Sequence, residues 1–336
     1  MHEKPVVNSG RVIQQLKRRD ALIALVGSAF AGTAVQAQNY PTKPIRIVSP
    51  FSPGATSDLI ARVLAKSITT TWGVGAIVEN KPGGGSSIGA DLVAKSAPDG
   101  HTLLSAAAAI GVIPALLPKL PYVPYKDLVP ITVIGTVPFM MVVHPSLPVN
   151  TVQEFIAYTK ANPGKVNFSS GGNGTIPHMG GELLKMRAGL DMVHIPFKGG
   201  ADSITALLGG QVQMTIDGGP HVIGHIKSGA LRMLGVATLQ RMPEFPTTPT
   251  IAESGFPGFE SNAWQSLWVT GGTPAPVVKK ISEDIRRILR TPEVGDQLRG
   301  MGVTILANSP EEAEQFIRAE TTKWAAVIKA SGAKAD

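Results

Sequence analysis

Short runs rich in β-branched residues alternate along this sequence with segments of helical period. The alternation predicts an α/β fold whose strands are mostly parallel. A chain of 336 residues can bury a large core, and its length suggests two domains. The candidate strands are residues 45–49, 76–80, 102–106, 140–144, 165–169, 212–216 and 231–237.

The segments between these strands carry helix signals. Residues 56–70 place apolar side chains on one face at helical spacing. Thr151 and Glu154 form a capping-box pattern, and Ser309 and Glu312 form another at the start of a terminal helix. The apolar stripes of these helices are interpreted as core packing rather than as cofactor-binding faces.

The first 37 residues are interpreted as a signal peptide. Basic residues at 17–19 precede a short apolar run at 21–32, and small residues at Val35 and Ala37 suit a cut after Ala37. The pattern predicts export to the periplasm, with the Sec and twin-arginine routes both left open by Arg18 and Arg19. The alternative interpretation is an apolar first helix of the fold.

Charge and cysteine content exclude several functions. The net charge is +7, without the clustered Lys and Arg or the interleaved aromatic residues of a nucleic-acid surface, and the mild basic balance suits anionic small molecules. The chain has no cysteine, so it has no disulfide, no thiol nucleophile and no thiolate metal site.

Three loops rich in Gly and Ser or Thr join a predicted strand to a predicted helix. They read PFSPGATSD at residues 50–58, KPGGGSSIG at 81–89 and SSGGNGTIPH at 169–178. Unpaired amides and the helix dipole at a helix start favour an anion, and glycine lets the backbone approach it closely. Such loops gather at the crevice of an open α/β sheet, which predicts carboxylate binding. Taken singly, each loop is better explained as a simple turn, and it is the presence of three loops of the same layout that favours ligand binding.

Motifs of nucleotide binding and catalysis are absent from the sequence. GGGSSIG does not fit the dinucleotide pattern, because Ile88 stands where the third glycine belongs, and no P-loop, G-x-S-x-G or H-E-x-x-H motif is present. No cofactor is therefore expected. His221 and His225 lie at helical spacing and could hold a metal, although a chance pair is the preferred reading.

Three further residues are candidates for ligand contact. His178 follows a Gly-rich loop and could donate to a ligand oxygen, or be an ordinary helix histidine. Lys198 and Asp217 each lie at a strand end, directly before glycines. Each could be a ligand contact or an ordinary turn residue. If the chain were an enzyme, His178 or Asp217 would be its candidate general base.

The chain resembles the periplasmic solute-binding proteins of tripartite tricarboxylate transporters, the Bug family. The resemblance covers nearly all of the sequence after the signal peptide. Its blocks are YPTKPIRIVSPFSPGATSD, VENKPGGGSSIGADLVAKSAPDGHTLL, LPYVPYKDLVPI, SSGGNGTIPHMGGELL, VHIPFKGGADSITALLGGQVQM, TPAPVVKKISEDIRRILRTPEVGDQLRGMGV and KWAAVIKASG, in this order.

This resemblance implies a type II periplasmic-binding-protein fold of two α/β lobes with the ligand cleft between them. Residues 41–144 with 265–336 would form lobe 1, and residues 145–264 would form lobe 2. The implied function is capture of a small carboxylate for the membrane subunits of a transporter. A sensor that feeds a signalling partner would have the same cleft, and an enzyme built on this fold is a further alternative.

The ligand contacts implied by the resemblance come from both lobes. Ala55 stands where the family usually has a second glycine. The segment SAAAAIGVIPALL at residues 105–117 lacks a polar pattern that is common in the family after the third strand. This difference predicts a more apolar cleft wall, so an aromatic carboxylate stays open as the ligand. The mechanism expected is closure of the lobes around the ligand. The implied contacts are Phe51, Gly54, Thr56, Asp58, Gly85, Ser86 and Ser87 in the first lobe, and Ser170, Gly174, Thr175, His178, Lys198 and Asp217 in the second.

Overall fold

The computed structural model describes residues 40–117 and 119–332, so the predicted signal peptide at residues 1–37 lies outside the described residues. The strands are β1 (Ile45–Ser49), β2 (Ala76–Asn80), β3 (Thr102–Ala107), β4 (Leu128–Val137), β5 (Phe139–Val143), β6 (Val166–Ser170), β7 (Met192–Pro196), β8 (Met214–Gly218), β9 (Arg232–Val236), β10 (Ala263–Thr270) and β11 (Thr304–Ile305). The helices are α1 (Thr56–Trp72), α2 (Ser87–Ala94), α3 (Ala109–Leu116), α4 (Val152–Ala161), α5 (Ile176–Ala188), α6 (Gly200–Leu208), α7 (Gly219–Lys227), α8 (Ala275–Leu289), α9 (Pro292–Gly300) and α10 (Pro310–Ser331), with a short 3₁₀ turn at Gly84–Ser86.

The strands form two mixed sheets, one in each lobe. The first sheet has the order β11-β4-β10-β3-β1-β2, with β1 parallel to β2 and β3, and β10 antiparallel to β3 and β4. The second has the order β7-β6-β8-β5-β9, with β6 parallel to β7 and β8, and β5 antiparallel to β8 and β9. Each sheet therefore combines the expected parallel strands with an antiparallel part.

The chain passes between the sheets twice. The first passage lies at Pro138, between β4 and β5, and the return runs through residues 237–262, between β9 and β10. The predicted range 41–144 includes β5 in the first lobe, whereas β5 pairs with strands of the second sheet. The change of sheet thus comes before the boundary that the sequence suggested.

Strand β5 is buried on both faces and contributes to two separate apolar clusters. Met141 and Val143 face one side, where Phe168 of β6 also packs. Met140 and Val142 alternate with them and pack with the apolar residues of α6 and α7. A continuous apolar run such as FMMVV is typical of a strand that is covered by helices on both faces.

The terminal helix α10 ties the first lobe to the return passage. Its start is a complete capping box, in which Ser309 Oγ accepts from the Glu312 amide and the Glu312 carboxylate accepts from the Ser309 amide. Lys323, further along the helix, donates to the backbone carbonyl of Glu260 in the return passage at 3.3 Å. Among residues 40–117 and 119–332, no helix combines the length and the apolar character that a membrane crossing requires.

Candidate functional site

The glycine-rich loops leave the carboxyl ends of the parallel strands, at the edge where each sheet faces the other lobe. Loop 50–55 follows β1, loop 81–86 follows β2 and loop 171–175 follows β6, and each leads directly into a helix. The turn at 197–199 follows β7, and β8 leads straight into α7. This is the edge at which open α/β sheets bind ligands.

Helix α3 brings loops of the two lobes together. A β-carbon at Gly85 would lie 2.9 Å from Cδ1 of Ile113, and one at Gly174 would lie 2.6 Å from Cδ1 of Leu116. Ile113 and Leu116 are one turn apart on α3, so glycines from different lobes approach the same short stretch of helix. The predicted apolar segment at residues 105–117 thus supplies apolar side chains between the loops.

The helices that begin at this edge lack side-chain caps. The N-cap residues of α1, α2, α5, α6 and α7 accept no hydrogen bond from their own helices. Among the described helices, side-chain caps of this kind occur at α4 and α10, and α3, α8 and α9 also lack them. The amides at the start of a helix that has no cap are donors for an anion or for water.

Asp58 holds the shape of the first loop rather than facing outward. Its buried carboxylate accepts hydrogen bonds from the Gly54 amide at 2.9 Å, Arg62 Nε at 3.0 Å and Asn80 Nδ2 at 2.8 Å. Asn80 also donates to the carbonyl of Phe51 at 3.0 Å, and Gly54 has a φ of +85°. Burial acts to raise the pKa of Asp58, but the hydrogen bonds from Arg62, Gly54 and Asn80 outweigh it and hold that pKa below its usual value.

We expect Asp58→Asn to lower the melting temperature near neutral pH, because the loop loses a charged acceptor. The folded state holds the pKa of Asp58 below that of the unfolded chain, so the carboxylate stabilises the fold above its unfolded pKa. This contribution is lost as the pH falls through the lowered folded value. Calorimetric scans from neutral to acid pH should therefore show the wild type and the variant converging.

The matched control for this prediction is Asp296→Asn. Asp296 forms an exposed pair with Arg299 at 2.6 Å on the surface of α9, and its removal should leave the pH profile of stability close to that of the wild type. A constant difference between wild type and Asp58→Asn across the acid range would contradict the role of the Asp58 charge.

The second loop contains unusual backbone and unpaired hydroxyls. Gly84, Gly85 and Ser86 all have positive φ, which for Ser86 is +93°. Among the described residues, the hydroxyls of Ser86 and of Ser49, at the end of β1, are buried without a hydrogen-bond partner. Ser87 begins α2 next to them. Buried polar atoms of this kind ordinarily need a partner, which a bound ligand or an ordered water supplies.

The third loop is braced by two histidines. The Gly174 amide donates to Nδ1 of His178 at 3.0 Å, and Ser170 Oγ lies 2.7 Å from Nε2 of His194. The two imidazoles stack with their ring centres 3.8 Å apart. Thr175 Oγ1 closes the loop by donating to a carbonyl within it at 2.7 Å. His178 Nδ1 thus accepts from the loop, and the donation to a ligand oxygen that the sequence suggested stays a prediction.

The remaining predicted residues lie in the turns after β7 and β8. Lys198 is exposed. Asp217 is buried, and its Oδ1 accepts from the Gly218 amide at 2.6 Å and lies 3.0 Å from Nδ1 of His221. The hydrogen bond with Asp217 raises the pKa of His221 by more than burial lowers it. His221 thus contacts Asp217, and no group of three or more potential metal ligands occurs within the described residues.

These turns of the second lobe touch one another. A β-carbon at Gly171 would lie 2.9 Å from the amide nitrogen of Gly200, and one at Gly200 would lie 2.6 Å from Cε1 of His221. The loops after β6, β7 and β8 therefore form one continuous wall. Sequence reasoning missed Asn80, His194 and the role of His221, although the spacing of Asp217 and His221 by one helical turn is visible in the sequence.

Comparison with known proteins identifies the family to which the chain is similar. The model of the tripartite tricarboxylate transporter family receptor matches residues 60–333. Protein BugT of Bordetella pertussis is 37% identical over 319 residues, which cover 93% of this chain and 98% of BugT.

Solved structures agree with this match. R. palustris Rpa4515 with adipate superposes with a TM-score of 0.76 at 30% identity, covering 88% of this chain and all of that one. The periplasmic binding protein BugD superposes with a TM-score of 0.74 at 33% identity, over 88% of this chain and 100% of BugD. The fold is thus that of two-lobed periplasmic binding proteins, as the sequence predicted.

Proposed function

Because this chain belongs to the tripartite tricarboxylate transporter family of receptors, we propose that it captures a small organic carboxylate or dicarboxylate and presents it to the membrane subunits of such a transporter. Like the related BugD, it is a periplasmic binding protein, and its family is one of receptors rather than enzymes. The adipate bound to the related Rpa4515 supports the ligand class.

The observation that carries the proposal is the approach of Gly85 and Gly174, one from each lobe, to the same stretch of α3. A ligand held between these loops meets uncapped helix starts on both sides. A carboxylate accepts hydrogen bonds from several amides at once, and such bonds to a charged acceptor are about twice as strong as neutral ones. A donor-rich and largely uncharged wall of this kind suits an organic acid.

The predicted contact residues take two roles in this proposal. Asp58, His178 and Asp217 position the loops, because the polar atoms described above are already engaged within them. Gly54, Ser170, Gly174 and Thr175 shape the same loops, because their amide or hydroxyl groups are engaged within them. The remaining residues offer amides, hydroxyls or exposed charge to the ligand: Phe51, Thr56, Gly85, Ser86, Ser87 and Lys198.

The mechanism we propose is closure of one lobe on the other. Residues 40–137 with 263–332 would move as the first lobe, and residues 139–262 as the second, about the passages at Pro138 and the start of β10. A ligand that contacts both lobes favours the closed state by its differential affinity for that state. The membrane subunits would then distinguish the closed receptor from the open one.

Export is the remaining part of the proposal. We propose that residues 1–37 are removed after Ala37 before the receptor works in the periplasm. Mass spectrometry of the protein from a periplasmic extract should give a mature chain that begins at Gln38. A chain that retains residues 1–37 in that compartment would contradict the cleavage.

The test of the proposed function is identification of the ligand. Native mass spectrometry of gently purified protein, followed by thermal-shift screening of mono-, di- and tricarboxylates, should give a bound organic acid that raises the melting temperature. A ligand bound only by the folded state at about 100 times its Kd adds about 2.7 kcal/mol. Stabilisation by sugars, amines or phosphate with none from carboxylates would contradict the proposal.

A signalling role remains a separate prediction. In a strain that lacks this receptor, loss of ligand uptake with normal gene induction would support transport. Normal uptake with lost induction would support sensing instead.

A further inference from the structure

The second-lobe wall contains a carboxylate–imidazole pair, Asp217 and His221, beside the exposed Lys198. Oδ1 of Asp217 contacts Nδ1 of His221 at 3.0 Å and accepts from the Gly218 amide. Oδ2 of Asp217 is buried and has no hydrogen-bond partner among the described residues. A buried carboxylate in this position is costly unless a cation pairs with it.

His221 is placed to pair with this carboxylate while its ring stays accessible. Its side chain is 49% exposed, whereas that of Asp217 is 3% exposed. The carboxylate engages Nδ1 and favours the protonated ring, which raises the pKa of His221. Protonated imidazole donates from both nitrogens, so Nε2–H is the donor that His221 has left for a ligand.

The position of the ring is fixed by the neighbouring turns. His221 packs against Gly200, whose amide in turn packs against Gly171 of the third loop. The other ionisable groups around it are Lys198 and Asp202, two residues to either side of Gly200, and His225, one turn further along α7. His221 therefore stands on the same wall as the loop 171–175 that faces α3.

We propose that His221 is a second anion-binding point of the cleft and makes the receptor selective for dicarboxylates over monocarboxylates of equal length. The first acid group would lie at the uncapped amides near α3, and the second at His221 Nε2. This inference rests on the proposed carboxylate function. Asp217 acts through His221 as a positioning residue.

The test compares acids that differ by one carboxylate. Calorimetric affinities are measured for adipate against hexanoate, succinate against butyrate, and phthalate against benzoate. We expect the wild type to prefer at least one dicarboxylate by about tenfold, equivalent to one charge-assisted contact of about 1.4 kcal/mol. His221→Gln should lose this preference and keep the affinity for the monocarboxylate, while the control His225→Gln should retain it.

The pH dependence of the dicarboxylate preference is a second measurement, and it would not change if His221 had only a structural role. His221 is charged below its raised pKa, so the dicarboxylate preference should decline as the pH rises from about 6 to about 9. Asp217→Asn removes the group that raises the pKa of His221, and the decline should then begin at lower pH. The preference of His221→Gln should not change with pH over this interval.

The outcomes separate this inference from the function on which it rests. Equal wild-type affinity for the mono- and dicarboxylate of every pair overturns the role of His221 and leaves carboxylate binding intact. A dicarboxylate preference that persists in His221→Gln also overturns the role of His221 and leaves carboxylate binding intact. Failure of every acid in the panel to bind contradicts the proposed function and the inference together.

Discussion

Gly174→Leu should reduce ligand affinity by about a hundredfold while the protein stays folded. A β-carbon at Gly174 would lie 2.6 Å from Leu116 on α3, so a larger side chain there separates the two lobes where they approach each other. Overpacking costs roughly 1–3 kcal/mol, and the upper end of that interval corresponds to about a hundredfold in Kd. The measurement is calorimetric titration with the acid that stabilises the wild type most.

Gly229→Leu is the matched control for this variant. Gly229 has the same φ of +76° as Gly174, but a β-carbon there would have no neighbour within 4 Å. Both variants carry the strain of a non-glycine residue at positive φ, about 1–3 kcal/mol, and should lose similar amounts of thermal stability. The difference in affinity between them therefore isolates the contact between the lobes.

The double variant Gly174→Leu with Leu116→Ala sharpens the test. Removing the Leu116 side chain makes room for the new leucine, so part of the lost affinity should return. If Gly174→Leu bound ligand as tightly as Gly229→Leu, the approach of loop 171–175 to α3 would have no part in binding, and the proposed site would fail.

The sequence predicts the parallel parts of both sheets better than the antiparallel parts. The predicted strands at 45–49 and 76–80 coincide with β1 and β2, and the other predicted strands differ by one or two residues at their ends. Strands β4, β7, β10 and β11 were not predicted. β4 contains Pro130 and Gly135, which are rare in strands, and β11 has two residues.

The missed strands of the first sheet depend on contacts between distant parts of the chain. β10 pairs with β3 and β4, which precede it by more than a hundred residues, and Gly135 of β4 is required because a β-carbon there would lie 2.3 Å from the carbonyl oxygen of Thr304. Local propensity does not contain such information. The passage at Pro138 was misjudged for the same reason, because MMVVH is strand-like whichever sheet it joins.

The location of the candidate site could be predicted, but the role of each residue could not. Glycine and serine composition identified the loops at this edge, because glycine-rich segments between a strand and a helix are visible in the sequence. The direction of a carboxylate or imidazole depends on its neighbours in space. Asp58 turns inward to Asn80, and His178 turns inward to the Gly174 amide. The hydrogen bond with Asp217 raises the pKa of His221, and spacing alone did not distinguish this contact from a chance pair.

Glu320 should be the residue whose truncation costs the most stability outside the cleft. Its Oε2 accepts from Nε1 of Trp264 at 3.3 Å and from Nε1 of Trp324 at 3.0 Å, and its other oxygen pairs with Lys323. Both tryptophans are fully buried, and the buried side chain of Glu320 on α10 contacts Trp264 of β10. One carboxylate thus satisfies two indole donors that have no access to water.

Glu320→Ala leaves both indole N–H groups and the Lys323 ammonium without this acceptor, and opens a cavity beside them. An unsatisfied buried donor costs about 1–3 kcal/mol, so the two indole donors account for most of the loss, and the part-exposed pair with Lys323 adds little. We therefore expect Glu320→Ala to lower the free energy of unfolding by about 3–5 kcal/mol. Glu320→Gln keeps an acceptor oxygen and the volume, and should cost less than half as much.

Urea unfolding followed by tryptophan fluorescence measures this loss, with Glu314→Ala as the control on the same helix. Glu314 forms an exposed pair with Arg318 at 2.7 Å, and its removal should change the free energy of unfolding by less than about 0.5 kcal/mol. If Glu320→Ala were no more destabilising than Glu314→Ala, the indole donors would have other acceptors in solution. Because Lys323 also reaches the return passage at Glu260, loss of its partner should in addition loosen the link between α10 and the passage about which the lobes close.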